Sequence, residues 1–159
     1  MLFQQEESLM QIRVAQEQDQ PYLVREYLQH LSPHLGEAER YAWQHLQVER
    51  ALLLEDKGFV VGFASWGRRE GVRAGLAQLT GIRIIATRRQ QGHGTELFHA
   101  VLQDMEAYYA DLDSALRRVF LFSPEATAPF FARLGFAQRA VLNDHRAVNQ
   151  TDILQILDR

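Results

Sequence analysis

Two hydrophobic periods divide the chain into strands and helices. Apolar and mostly β-branched residues dominate the second half of residues 75–86, which is typical of a buried central strand. In residues 92–109, apolar side chains recur at three- and four-residue steps, the period of an amphipathic helix. These helical positions are Leu97, Val101, Leu102, Met105 and Tyr108. The pattern therefore predicts a strand-to-helix junction just before residue 92.

The same periods, together with start and stop signals, predict the other elements. Asp19 and Pro21 mark the start of a first helix, and Pro33 follows its end. A polar link that ends in Gly58 joins a hairpin, and Gly135 caps the last helix. Strands are predicted at residues 10–14, 51–54, 59–66, 75–86, 118–122, 136–141 and 151–157, and helices at 19–31, 37–48, 92–109 and 124–134.

The resulting order is β-α-α-β-β-β-α-β-α-β-β. It predicts an α/β fold with a single mixed, mostly antiparallel sheet that is flanked by helices on both faces. Residues 1–9 show no clear period and are expected to form a flexible leader. Residues 10–159 are expected to form a single domain, because 159 residues with 47% hydrophobic content suit one core.

The strand-to-helix junction carries the segment Arg-Gln-Gln-Gly-His-Gly-Thr at residues 89–95. Free N–H groups at a helix start attract anions, and glycines let a phosphate approach the backbone. The segment lacks the Gly-x-Gly-x-x-Gly of dinucleotide sites and the Gly-Lys-Ser/Thr of a Walker loop. It is interpreted as an anion cradle, and the alternative is a tight turn that binds nothing.

Composition narrows the class of protein further. The absence of cysteine excludes a disulfide frame, a thiol nucleophile and a cysteine–zinc site, and no motif for a metal is present. A net charge of −3 argues against general binding to nucleic acid or membranes. No apolar run reaches the ~18–20 residues that span a bilayer. A cytoplasmic location is the default expectation.

Two motifs resemble those of one family. The pattern Arg-x-x-Gly-x-Gly-Thr-x-Leu begins at Arg89, and Pro-Phe-Phe-Ala-Arg-Leu-Gly-Phe occupies residues 129–136. Both are similar to signatures of the GCN5-related N-acetyltransferase (GNAT) superfamily, whose order of elements also matches. The resemblance implies the acyl-CoA N-acyltransferase fold and acetyl-CoA as acyl donor, with no metal.

The resemblance also implies the donor site. The pyrophosphate of coenzyme A would rest on the backbone N–H groups of residues 91–95, and its pantetheine arm would pair with the end of the central strand. That strand would splay from residues 118–122 and admit the thioester. The implied coenzyme-binding residues are Ile82, Arg83, Ile84, Arg89, Gln90, Gln91, Gly92, His93, Gly94, Thr95 and Phe131.

The acid and base of the reaction are not identified by the resemblance. Phe131 stands where the family often has a tyrosine that protonates the thiolate, and Gln78 stands near the position of a glutamate base. Three interpretations stay open: deprotonation through ordered water, replacement by another residue, or binding of acyl-CoA without turnover. The candidate catalytic residues are Gln78, Thr80, Ser123 and Glu125.

The predicted function is that of an N-acetyltransferase. An acetyl group would pass from acetyl-CoA to a primary amine of a small molecule by direct attack in a ternary complex. The alternative is a non-catalytic acyl-CoA-binding or regulatory module on the same fold. The arginines before the central strand, Arg68, Arg69 and Arg73, are candidates to bind an acidic group of the acceptor, and the alternative is that they are simply solvated. Apolar residues on the late strands would allow a homodimer.

Overall fold

The computed structural model describes residues 10–159, so the predicted leader lies outside the described residues. The described residues form the predicted order of strands and helices, with short 3₁₀ turns between some of them. The elements are β1 (Met10–Val14), α1 (Gln20–His30), α2 (Leu35–Gln47), β2 (Arg50–Asp56), β3 (Phe59–Arg69), β4 (Leu76–Ile84), α3 (His93–Asp111), β5 (Arg118–Pro124), α4 (Ala128–Arg133), β6 (Ala137–Leu142) and β7 (Asp152–Asp158).

All seven strands belong to one sheet with the order β1-β2-β3-β4-β5-β7-β6. The pair β4–β5 is parallel, whereas β1–β2, β5–β7 and β6–β7 are antiparallel. The predicted mixed sheet with helices is therefore confirmed. The described residues divide into two compact units, the first made of residues 10–65 with Ile82–Ala100 and the second of Trp66–Gly81 with Val101–Arg159.

The first unit has a core between its two early helices and strands. Its buried residues are Leu23, Ala42, Ala51, Leu53 and Phe63. An ion-pair cluster joins β1, the start of α1 and β2. Arg13 donates to both oxygens of Asp19 and to Glu55, each at 2.8 Å. These hydrogen bonds from Arg13 hold the pKa of Asp19 below its usual range, because they favour the ionised carboxylate.

This shift predicts a pH-dependent stability. A lowered folded-state pKa gives stability that is present above the unfolded pKa of about 4 and lost as the pH falls through the folded value. We expect Asp19→Asn to lower the free energy of unfolding by about 2 kcal/mol at pH 7. The difference from wild type should shrink as the pH drops below about 4, measured by urea denaturation.

Glu17→Gln is the control, since Glu17 is an exposed carboxylate in the same turn. Its effect should stay within about 0.5 kcal/mol. A difference between wild type and Asp19→Asn that is constant from pH 7 to pH 2 would contradict the assignment.

The second unit is built around β5 and β7. Their register is continuous from Arg118↔Asp158 to Pro124↔Asp152. The parallel register of β4 with β5 is shorter, and among the described residues it runs from Leu76↔Arg118 only to Gln78↔Phe120. Both strands continue past that point. The splay of the central strand from its neighbour stays a prediction.

The last helix begins later than predicted. Ser123 and Pro124 were expected to start it, but both residues extend β5. Pairing with β7 at Pro124↔Asp152 continues the strand, and a proline is tolerated at such a strand end. The helix α4 starts at Ala128, with Thr127 as its N-cap and a proline in its first turn. The prediction assigned that role to the wrong proline.

Gly75 lies at a tight position before β4. Its φ is +61°, and a Cβ atom there would lie 2.3 Å from the backbone oxygen of Ala115. We expect Gly75→Ala to lower the free energy of unfolding by about 3 kcal/mol, because left-handed strain adds to a clash with backbone. Chemical denaturation measures the change.

Gly71→Ala is the matched control in the same loop. Gly71 has an ordinary φ of −67°, and a Cβ atom there would meet no heavy atom within 4 Å. Its replacement should change stability by less than about 1 kcal/mol. Equal effects of the two substitutions would overturn this account of Gly75.

Candidate functional site

The segment between β4 and α3 forms a loop with two left-handed residues. A 3₁₀ turn occupies Ala86–Arg88, and α3 begins at His93. Gln90 has a φ of +62° and Gly92 a φ of +81°. A Cβ atom on Gly92 would meet nothing within 4 Å, so the glycine is needed for its backbone angle rather than for space.

This loop presents unpaired backbone donors. The N–H of Glu96 donates to the carbonyl of Gly92, which is the first bond of α3. Within the described part of the chain, the N–H groups of residues 91–95 have no protein acceptor. They lie at the positive end of a helix of 19 residues. Such an arrangement binds an anion, and phosphate oxygens are suited to it because each accepts several hydrogen bonds.

Two arginines hold the loop in place. Arg88 forms an ion pair with Asp56 at the end of β2. Arg89 donates from its Nε to the carbonyl of Ile84 at 2.9 Å. The implied contact of Arg89 with the coenzyme would therefore use its other two nitrogens. Both contacts restrict the loop in the free protein, so the loop loses less conformational entropy when it binds a ligand.

His93 is engaged within the loop. Its Nε2 lies 3.2 Å from the side-chain oxygen of Gln91, and its Nδ1 lies 3.4 Å from Glu96. The Thr95 side chain is exposed on the first turn of α3.

A separate pocket of about 350 Å³ in the first unit is lined by Arg13, Tyr22 and their neighbours, and it contains no residue of this loop.

The three strand residues before the loop differ in their surroundings. Ile82 is half-buried, whereas Ile84 is buried against the backbone of Gly62. Because the carbonyl of Ile84 already accepts from Arg89, it has one lone pair left for a ligand. The side chain of Arg83 forms an ion pair with Glu26 of α1, which the sequence analysis did not predict.

The catalytic candidates lie in the second unit, and Ser123 is the one that is buried. Its hydroxyl is 2% exposed and donates to the Oε1 of Gln155 at 2.8 Å. Gln155 in turn donates to the carbonyl of Ala128. These bonds join β5, β7 and α4, so they give Ser123 a structural task.

The other candidates are nearer to solvent. Gln78 accepts a hydrogen bond from the Nε of Arg69 at 2.9 Å, while Thr80 and Glu125 are exposed. Phe131, predicted at the coenzyme site, is 6% exposed and packs edge-on against Phe136. A phenyl ring has no donor, and a neutral amide is not a base. The second unit therefore offers Glu125 as its one ionisable candidate.

The arginines that were expected to meet an acidic acceptor are partly engaged. Arg69 donates to Gln78, and Arg73 donates to the carbonyl of Asp113 at 2.5 Å.

Among residues 10–159, no group of three or more His, Cys, Asp or Glu is arranged to hold a metal ion. No helix in that range is long and apolar enough to cross a membrane.

Comparison with known proteins identifies the family. A model of the acetyltransferase (GNAT) family matches residues 12–136, so the chain belongs to this family. The predicted class, an acyl-CoA-dependent N-acetyltransferase, is thereby confirmed at the level of the family. No curated protein sequence matches the chain.

Solved structures support the fold. A spermidine N-acetyltransferase from Vibrio cholerae, described as dodecameric, has a TM-score of 0.73 at 14% identity, and the match covers 94% of each chain. A ribosomal-protein-alanine N-acetyltransferase from Escherichia coli has a TM-score of 0.74 at 16% identity, covering 94% of this chain and 93% of the other. An aminoglycoside 6'-N-acetyltransferase in complex with coenzyme A has a TM-score of 0.73 at 15% identity, covering 93% and 96%.

The buried Ser123 yields a stability prediction. Its replacement by alanine leaves the Oε1 of Gln155, also 2% exposed, without its donor. We expect Ser123→Ala to lower the free energy of unfolding by about 1–3 kcal/mol, measured by urea denaturation. Thr127→Ala, which removes an exposed hydroxyl bonded to the carbonyl of Pro124, should cost less than about 1 kcal/mol. A smaller loss for Ser123→Ala than for Thr127→Ala would show that the Ser123 bond is not structural.

Proposed function

We propose that this protein transfers an acetyl group from acetyl-CoA to a primary amine of a small molecule. The single observation that carries the donor assignment is the row of unpaired N–H groups at residues 91–95 at the start of α3. Coenzyme A carries a pyrophosphate that such a row of donors would bind. Family membership and the similarity to an acetyltransferase that binds coenzyme A support the same donor.

The pantetheine arm would extend from the loop along residues 82–84 of β4. Its amides would pair with the strand backbone as an added strand does. The N–H of Ile85 is already bound to the carbonyl of Val61, and the carbonyl of Ile84 to Arg89. The backbone groups of Ile82 and Arg83 are therefore the better candidates for this pairing.

The reaction would be a direct attack in a ternary complex. The amine nitrogen forms a bond to the carbonyl carbon of the thioester, the carbon–sulfur bond breaks, and the amine loses a proton while the thiolate gains one. A transient oxyanion on the carbonyl needs a hydrogen-bond donor, for which a backbone N–H of β4 is suited. The chain has no cysteine, which agrees with a route that uses no thiol nucleophile.

The proton carriers would be water or a residue outside the family pattern. Gln78 and Thr80 lie on β4 and could hold a water molecule that takes the proton from the amine. Glu125 is an exposed carboxylate after β5 and is the alternative base. The acceptor class includes small amines, as in the spermidine and aminoglycoside enzymes that share the fold. We also propose a single catalytic domain over residues 10–159.

A second candidate function is binding of acyl-CoA without turnover. It is favoured by Phe131 and Gln78, which offer neither an acid nor a base. Release of the coenzyme A thiol in the presence of a panel of small amines decides between the two functions. Turnover with any amine excludes the second one.

Donor binding is tested by thermal denaturation with acetyl-CoA. A ligand present at 100 times its dissociation constant should add about 2.7 kcal/mol to the free energy of unfolding. We expect Gly92→Glu to abolish this stabilisation, because a carboxylate placed at the loop repels the phosphates. Failure of acetyl-CoA at millimolar concentration to stabilise the folded wild-type protein would refute the donor assignment.

Gly58→Glu is the matched control. Gly58 belongs to the same unit, has a φ of +83° against +81° for Gly92, and also leaves open space around a Cβ atom. The two substitutions thus carry the same backbone strain and the same added charge. Gly58→Glu should keep the stabilisation by acetyl-CoA. Equal loss in both variants would mean that the effect is not local to the loop.

A further inference from the structure

A buried carboxylate lies beneath an arginine on the strand that precedes the loop. Glu26 is on α1 with a side chain that is 9% exposed, and its Oε1 lies 2.6 Å from the Nε of Arg83. The Arg83 side chain is 38% exposed. His30, one turn further along α1, lies 3.7 Å from the other oxygen of Glu26. The cation is therefore the part of this pair that reaches solvent.

Two tyrosines lie near enough to Glu26 to interact with its charge. Tyr22 lies one turn earlier on α1, and Tyr41 lies on α2; both pack against the core of the first unit. Burial is the main cause that raises the pKa of each of these tyrosines, and the negative charge of Glu26 is the second cause. Both hydroxyls therefore stay protonated at neutral pH. Neutral, partly apolar side chains near an ion pair lower the local dielectric constant and so strengthen its electrostatic interactions.

The exposed edge of the Arg83 guanidinium is suited to a negatively charged ligand. Among the described residues, Glu26 is the one ion-pair partner of Arg83, and it engages the Nε edge of the guanidinium. The terminal nitrogens keep further N–H donors in a rigid plane, the geometry that matches a carboxylate or a phosphate. The Oε1 of Glu26 has no hydrogen-bond partner among the described residues, so the ion pair restrains the guanidinium by charge and proximity before the ligand arrives.

The position along β4 distinguishes two sources of such an anion. If the pyrophosphate lies at residues 91–95 and the pantetheine arm runs along residues 82–84, Arg83 is on the acetyl side of the pyrophosphate. The 3'-phosphate of coenzyme A is attached on the opposite, adenosine side. An anion bound by Arg83 would therefore come from the acceptor rather than from the 3'-phosphate.

We propose that Arg83, oriented by the buried Glu26, binds a carboxylate of the acceptor, so that the substrate is an amine that also carries a carboxylate, such as an amino acid. This assignment rests on the proposed acetyl transfer. Arg83 is a binding residue for the acceptor and takes no part in proton transfer.

The test compares α-amino acids with their α-carboxamides as acceptors, with release of the coenzyme A thiol as readout. For the wild-type protein, kcat/KM should be about tenfold to hundredfold higher for the acid than for the amide of the best amino acid. The variants are Glu26→Gln and the double variant Glu26→Gln with Arg83→Gln. Both lack the buried carboxylate, so neither leaves it unpaired, and they differ only at Arg83.

Glu26→Gln should retain a preference for the acid, whereas the double variant should lose it, with KM for acetyl-CoA unchanged in both. Arg83→Lys keeps the ion pair but not the planar donors and should weaken the preference. Arg40→Gln, an exposed arginine on α2, controls for net charge and should have no effect.

The proposal would be overturned if the wild type used acid and amide equally, or if the double variant lost activity equally with both acceptors. A raised KM for acetyl-CoA in the double variant would also overturn it, because that result would assign Arg83 to the donor phosphates. The fourth contradicting result is no turnover of any amino acid by a protein that acetyl-CoA stabilises. A protein that acetyl-CoA does not stabilise would instead refute the proposed function itself.

Discussion

The proposed function of this protein depends on backbone N–H groups that the described part of the chain leaves unpaired. A helix start always has such donors, and side chains usually satisfy some of them. Here two residues before α3, Gln90 and the exposed Gly92, have a left-handed backbone. Water can satisfy the donors in the free protein, and an anion can replace that water with several charge-assisted hydrogen bonds at once.

The loop can present these donors because its neighbours are fixed. Arg88 ties it to the end of β2, and Arg89 ties it back to the carbonyl at the end of β4. A site that is rigid before binding loses less conformational entropy when the ligand arrives. The two arginines thus stabilise the geometry of the loop, and for Arg89 this role adds to the contact with the coenzyme that the resemblance implies.

Local patterns predicted the elements well where periodicity and caps agreed. β1 has the predicted bounds, and α1 starts next to Asp19 and Pro21 as expected. The prediction failed at Pro124, because pairing of β5 with β7 decides that position and cannot be seen in the local sequence. The Glu26–Arg83 pair was missed for the same reason: its members are far apart in the chain, and the one local signal was a carboxylate within the apolar stripe of α1. The acid and base of the reaction depend on acceptor geometry, which no motif encodes.

The most direct test of the central claim measures the backbone amide chemical shifts of residues 91–95 by NMR during titration with coenzyme A. A parallel titration uses pantetheine, which lacks the pyrophosphate. The account predicts large shifts of these amides with coenzyme A and small ones with pantetheine. Shifts that are absent with coenzyme A, or equal with the two ligands, would contradict a pyrophosphate site at the start of α3.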